Sequence, residues 1–269
     1  MPPSGNTANR HGILVVGAGE LGTSVLNALS RRSSSAQEKT EITVLLRPST
    51  APGRAQLRRE LASEGIVIEE ADVSSASPAE LVTIMSRFHT VVSCVVDEQL
   101  DVRDLLRSQY NTEWIIVSTG MFTSFLFEPS FGVVDLAEPA VHALGGWDTE
   151  VTVTTAEDIG VLTAEILYTI PPLANQVVYV AGDTVSYGEL ADIVERVVGA
   201  PVRRAEWTVE HLLDDLGKRP LDTMAKYRAV FAQGKGVAWP KEMSFNAVNG
   251  IPTTGAEEWA STHLIRGRS

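Results

Sequence analysis

The chain has 269 residues, with 34 acidic side chains against 22 basic ones, a formal charge of −12 and a hydrophobic content of 44%. That length buries a core in one large α/β domain or two smaller ones without disulfide or metal staples. The single cysteine, Cys94, excludes an internal disulfide and the five histidines never fall at metal-ligand spacing. An acidic chain also lacks the cationic footprint on which nucleic-acid binding depends. These features predict a protein of a reducing, cytoplasmic setting. Residues 1–11 are polar, hold two prolines and have no apolar h-region, so they read as a disordered lead-in. The longest uncharged run, Ile166 to Gly182, is broken by Pro171-Pro172 and does not read as a membrane span.

The first ordered element is an apolar strand, Gly12 to Val16, running into Gly17-Ala18-Gly19-Glu20-Leu21-Gly22. Leu21, Val25, Leu26 and Leu29 follow at helical spacing, with Arg31-Arg32 near the helix C-terminus, where cations suit the dipole. A β-branched strand, Ile42 to Leu46, precedes a basic helix from Ala51 to Ser63. Next come the strand Ile66 to Ile68, a helix carrying Leu81, Ile84 and Met85, and the strand Thr90 to Val96. A helix from Leu100 to Tyr110 leads to another apolar strand, Trp114 to Val117. Apolar strands alternating with amphipathic helices predict an α/β fold, a Rossmann-type doubly wound and mostly parallel sheet. Beyond Gly120 the pattern loses its period, and Phe122, Phe125, Phe127 and Phe131 suggest a loop-rich apolar wall.

The C-terminal half also contains regular units. Thr155 and Asp158 open a helix with Ile159, Leu162, Ile166 and Leu167 inward. Gln176 to Val180 is a strand, and Ser186 with Glu189 forms a capping box for a helix that Gly199 ends. Further helices are expected over Trp207 to Leu216 and around Trp259. The predicted organisation is a core over 12–135, to which elements from about 151–182 return, and a lobe occupying most of 136–269.

Gly17-x-Gly19-x-x-Gly22 is the strongest motif. Its first glycine allows the tight turn, its second lets a pyrophosphate approach the backbone, and its third lets strand and helix pack closely. It follows a strand and opens a helix, the context in which the pattern marks a dinucleotide site. Ala18 and Leu21 complete the loop. A carboxylate about 20 residues further on selects NAD through its ribose, whereas an Arg there accepts the 2′-phosphate of NADP. The second strand ends in Arg47-Pro48-Ser49 with no carboxylate at its tip. Arg47, joined by Arg54, therefore predicts NADP. Catalytic residues are less legible. None of the five tyrosines has a Lys four residues on, and there is no Gly-x-Ser-x-Gly elbow. Cys94, inside an apolar strand, reads as an inert buried thiol.

With the glycine turn, Arg47 and Trp114-Ile115-Ile116-Val117-Ser118-Thr119-Gly120-Met121-Phe122, the chain resembles the NmrA-like, isoflavone-reductase-like family of atypical short-chain dehydrogenases. The resemblance extends through Gly146-Trp147-Asp148 and Tyr179 to Asp183 and is strongest to fungal, secondary-metabolism members. It implies an NADP domain, a small C-terminal substrate lobe, and hydride delivery to an enone, quinone methide, ketone or benzylic ether, with Met121, Phe122 and Phe125 against the substrate. The family also includes regulators that bind the dinucleotide without turnover. Its pattern places a further helix, strand and catalytic Lys between the fourth strand and the helix before Trp114. Here Val96-Asp97-Glu98-Gln99 leads directly into Leu100, so roughly 40 residues, about one crossover unit, are absent and Gln99 falls at the Lys position. Glutamine forms hydrogen bonds but does not titrate. Either an exon is missing from this sequence or the loss is genuine and the protein is a shortened homologue.

Overall fold

The computed structural model describes residues 12–35, 40–94, 104, 107–108 and 110–264. The chain divides into two compact units, Met1–Glu113 with Ile159–Leu173, and Trp114–Asp158 with Ala174–Ser269. The expected lead-in, the end of the fourth strand (Val95 and Val96), Gln99 and most of the Leu100 to Tyr110 helix lie outside the described residues. Among the described residues no helix is long and apolar enough to cross a membrane.

The first unit is built on a parallel sheet of β1 (Ile13–Val16), β2 (Ile42–Leu46), β3 (Val67–Glu70) and β4 (Thr90–Ser93), in the order β3-β2-β1-β4. Every residue of β1 and β2 is buried, because helices cover both faces and neither face can be polar. The pleat divides them. Ile13, Val15 and Val44 pack with Val25, Leu26 and Leu29 of α1 (Glu20–Ser35), while Leu14, Val16 and Leu45 pack with Phe88, Ile84 and Met85. α2 (Pro52–Ser63) and α3 (Pro78–Met85) complete the alternation, α3 starting in a Ser77–Glu80 capping box. The β3 strand lies further along than the predicted Ile66 to Ile68. Pairing of Thr43 with Val67 through Leu46 with Glu70 carries it over two glutamates, whose carboxylates meet Arg87 and Arg58 at the sheet edge. On the opposite side β4 pairs only with β1 among the described residues, Val91 is 40% exposed and α3 buries none of its side chains.

The helix from Ala156 onward enters this unit at Ile159. A Cβ on Gly160 would lie 2.5 Å from the carbonyl carbon and oxygen of Ser24, so this glycine lets two helix backbones touch. Ala164 joins the same cluster as Val25 and Leu29, Arg32 pairs with Glu165 at 3.4 Å, and the Arg32 guanidinium lies over the Tyr168 ring.

The described residues of the second unit hold three small sheets. β5 (Ile115–Ser118) pairs in parallel with β10 (Gln176–Tyr179). β9 (Glu150–Thr154) lies between β6 (Met121–Phe122) and β11 (Asp183–Ser186). β8 (Ala140–Leu144) lies between β7 (Val134–Asp135) and β12 (Arg203–Trp207). One turn of helix, α4 (Thr123–Leu126), interrupts the aromatic stretch. Of the expected helix starts, α5 (Ala156–Leu167) uses half a capping box. The Asp158 amide donates to Thr155 Oγ1 at 3.0 Å, but the Asp158 carboxylate accepts from Thr254 N at 2.9 Å and ties down the C-terminal segment instead. α6 (Tyr187–Val198) has both bonds of the Ser186–Glu189 box and ends at Gly199. The helix expected from Trp207 begins two residues later as α7 (Val209–Lys218). Trp207 completes β12, and Thr208 is the cap that accepts from the His211 amide. α8 (Thr223–Ala232), α9 (Phe245–Val248) and α10 (Ala256–His263) follow. Buried Asn246 stands in for a strand neighbour, its amide exchanging two hydrogen bonds with the backbone of Ala181.

Gly160→Ala is expected to destabilise the protein by ~1–3 kcal/mol through overpacking, against the ~1 kcal/mol gain that helix propensity alone gives Ala. The urea midpoint measures it, and a rise would show that the two helices separate at no cost.

Candidate dinucleotide site

The central strand β1 turns out of the sheet at Gly17, whose φ of +92° is open to glycine and strained for other residues. Gly17 N donates to Leu45 O at 3.2 Å and Cys94 N donates to Val16 O at 3.0 Å, so the turn is pinned between the ends of β2 and β4. This is the C-terminal end of the sheet at the reversal of strand order, where ligands of doubly wound folds bind. The remaining glycines divide the work. A Cβ on Gly22 would sit 2.1 Å from Gly17 O, so residue 22 must be glycine for α1 to pack beneath the turn. A Cβ on Gly19 would meet no atom within 4 Å, and it would project into open space at the start of α1. Ala18 and Leu21 pack against the core and support the loop from below. A helix N-terminus beside a glycine whose side-chain position is open fits a pyrophosphate, with Glu20 the acidic residue of that first turn.

Arg47 follows the last residue of β2. Its Nε donates to Asp72 Oδ1 at 3.2 Å and its Nη2 donates to Ser74 Oγ at 3.1 Å, while two thirds of the side chain remains exposed. The α2 helix five residues on begins with Pro52, has no side-chain cap at Ala51 and no acidic residue in its first turn. Its positive end is therefore not neutralised locally. Of the arginines on α2, Arg58 is committed to Glu70 and Arg59 to Gln56, whereas Arg54 has no hydrogen-bond or ion-pair partner among the described residues. Arg47, paired with Asp72, is thus followed along the chain by an uncapped helix start that carries Arg54 in its first turn. Sequence reasoning missed Asp72 and Ser74, because it ended β3 before the turn that carries them.

Cys94 borders this loop, its Cβ 3.6 Å from the position a Gly22 side chain would take. Burial pushes its thiol up to about 11, so little thiolate exists at neutral pH. Among the described residues no cluster of three or more His, Cys, Asp or Glu side chains could hold a metal.

The second unit contains the aromatic wall. Met121 is 3% exposed and sits in the core, pairing with Val153 of β9. Phe122 is half-buried. Phe125 is half-buried against Phe131, with ring centroids 4.7 Å apart, and against Tyr227 at 5.3 Å. Thr123, between them in sequence, is fully buried, and its hydroxyl has no hydrogen-bond partner among the described residues. The Ser118-Thr119-Gly120 turn is held by Thr154 Oγ1, which donates to Thr119 O at 2.8 Å.

A four-stranded parallel sheet with a glycine turn at its switch point and an alternation of helices defines a Rossmann-type α/β protein. No family model matches the chain. It is 39% identical to an NmrA-like family domain-containing oxidoreductase of Gibberella moniliformis (strain M3125 / FGSC 7600), over 92% of this chain and 96% of that one. The chain belongs to the NmrA-like family. Among solved structures it resembles isoflavone reductase, with a TM-score of 0.74 at 14% identity over 94% of this chain and 99% of that one. It also resembles the binary complex of leucoanthocyanidin reductase and NADPH from Vitis vinifera, with a TM-score of 0.75 at 16% identity over the same shares. These likenesses establish an isoflavone-reductase-like fold. The comparison with the Gibberella protein runs over 297 positions, more than the 269 residues of this chain, so that relative carries residues inside the matched span with no counterpart here.

Gly19→Ala is expected to leave the thermal midpoint of the free protein unchanged, and Gly22→Ala to lower it sharply, since only the second forces backbone apart. Equal midpoints would place both glycines in the same environment. Cys94 is expected to resist iodoacetamide at pH 8 in the folded protein and to react at once in urea. Rapid labelling of the native state would show that the thiol is open.

Proposed function

We propose that the protein is an NADPH-dependent reductase of a small, aromatic or polyketide-like metabolite carrying an enone, ketone or benzylic ether, working in the cytoplasm within a biosynthetic gene cluster. The reading rests above all on one observation: a glycine cradle at the switch point followed by Arg47 where an NAD protein has a carboxylate. Family membership supports it, as does the fold shared with named reductases. The amides at the start of α1, with Gly17, Gly19 and Gly22, would hold the pyrophosphate, and Arg47 with Arg54 the 2′-phosphate. NADPH, when bound, supplies a hydride from its nicotinamide ring. The domain containing Met121, Phe122 and Phe125 is the substrate lobe in this reading. Phe122 and Phe125, each half-buried, offer an apolar surface for an aromatic ring, whereas Met121 lies in the core and supports them from within.

A second reading has its own support. Gln99 at the family's Lys position cannot hold or move a proton, and the Gibberella relative carries residues that this chain lacks. Both favour an NADP-binding regulator of the same family that turns nothing over. The two readings share the cofactor site and differ in consumption of NADPH.

Fluorescence titration is expected to show NADPH binding more tightly than NADH. Arg47→Ala should weaken NADPH by about 10- to 100-fold, the ~1.5–3 kcal/mol of a hydrogen bond to a charged group, with NADH unaffected. Equal affinities for the two cofactors would overturn the NADP assignment. Oxidation of NADPH with any of a panel of enones, quinones and benzylic ethers supports the reductase. Tight binding without oxidation across that panel favours the regulator.

A further inference from the structure

The charge that the cofactor reading assigns to the 2′-phosphate is not carried by a free arginine. Arg47 and Asp72 leave the sheet side by side: Leu46 pairs with Glu70, and Ala71 N donates to Leu46 O at 3.0 Å. The Asp72 carbonyl accepts from the amides of Ser75 and Ala76, at 3.1 and 2.8 Å, which fixes the turn. Its Oδ1 accepts from Ser74 N at 3.1 Å and from Ser74 Oγ at 2.5 Å, which fixes the carboxylate. The Ser74 hydroxyl beside it, opposed by desolvation and helped by the Ser74 amide and by Arg47, holds the Asp72 carboxyl below its ordinary range. Both acceptors then meet one edge of the guanidinium, Nε on Asp72 and Nη2 on Ser74.

A guanidinium has two edges able to bind in parallel, the Nε/Nη2 side edge and the Nη1/Nη2 end edge. In this structure the side edge is occupied, and Nη1 has no partner among the described residues. We infer that Asp72 and Ser74 are positioning residues for NADPH selectivity, holding the side edge of Arg47 so that its end edge is presented to the 2′-phosphate. This rests on the cofactor reading above. An exposed arginine otherwise spreads over many rotamers and loses that freedom on binding, and a guanidinium already held in place loses less. The carboxylate also places a negative charge close to the incoming phosphate. The arrangement therefore predicts opposite responses to removing the acceptor and removing the charge.

The test is a titration of wild type, Asp72→Ala, Asp72→Asn and Ser74→Ala with NADPH and with NADH, repeated with adenosine 2′-monophosphate and 5′-monophosphate as the smallest probes of the subsite. Asp72→Ala is expected to weaken NADPH and the 2′-monophosphate at least threefold while NADH and the 5′-monophosphate stay unchanged. Asp72→Asn keeps the acceptor for Nε without its charge and is expected to bind NADPH at least as tightly as wild type. Ser74→Ala should show a smaller, equally 2′-phosphate-specific loss and serves if Asp72→Ala fails to fold. Tighter NADPH binding by Asp72→Ala would make the carboxylate a competitor of the phosphate, and an equal loss on both cofactors would make the turn a merely structural one; either result, or no change, overturns the inference. If wild type itself fails to discriminate NADPH from NADH, the cofactor reading falls first and this inference with it. That outcome is visible before any variant is made.

Discussion

The fold of the first unit depends on one steric constraint, the contact between residue 22 and the carbonyl of Gly17. With a side-chain atom there placed 2.1 Å from that oxygen, α1 would have to lift away from β1. Lifting it would separate Val25, Leu26 and Leu29 from Ile13, Val15 and Val44 and open the largest cluster of that unit. The same contact brings the start of α1 under the turn and leaves Gly19 facing open space. Tight packing on one side and vacancy on the other are two results of one backbone path, so the core and the open face of the turn cannot be altered independently.

Where the first unit is least supported is its β4 side. An apolar strand inside a doubly wound sheet is ordinarily covered on both edges and both faces. Here β4 has one partner among the described residues, its Val91 is substantially exposed, and α3 leaves Val82 exposed while Leu81, Ile84 and Met85 are only half-buried. The β5 strand of the second unit is likewise only half-buried along its length and pairs with β10 alone among the described residues. Exposed apolar edges of this kind are a cost to stability and solubility. Within the first unit, the β1–β2 side is closely packed and the β4 side is the less covered one.

Local grammar was the most legible part of the sequence. The Ser186–Glu189 box, the span of β2 and the glycine turn are decided within a few residues by short-range hydrogen bonds, side-chain period and steric demand. Boundaries set by pairing were less legible. The β3 strand extends across Glu69 and Glu70 because β2 offers them backbone partners, against their own low strand preference. Trp207 joins β12 through pairing with Leu144, although the helix that follows has an apolar pattern reaching back toward it. Asp158 shows the same limit in a side chain: its spacing from Thr155 predicts a reciprocal cap, and a backbone amide nearly a hundred residues away takes the carboxylate instead.

The sequence by itself determined that this is an acidic, doubly wound α/β chain of the NmrA-like type with a glycine-rich turn after its first strand and an arginine, with no carboxylate, after its second. Those features are local, and each is read from residue type and spacing alone. Only the tertiary structure decided which glycine is packed and which is open, and which of the neighbouring arginines is uncommitted. It also decided that Arg47 is gripped along one edge by Asp72 and Ser74, twenty-five and twenty-seven residues further on. The reason is that a parallel sheet places strand ends side by side whatever their distance along the chain. The chemistry around Arg47 belongs to residues that no local pattern connects.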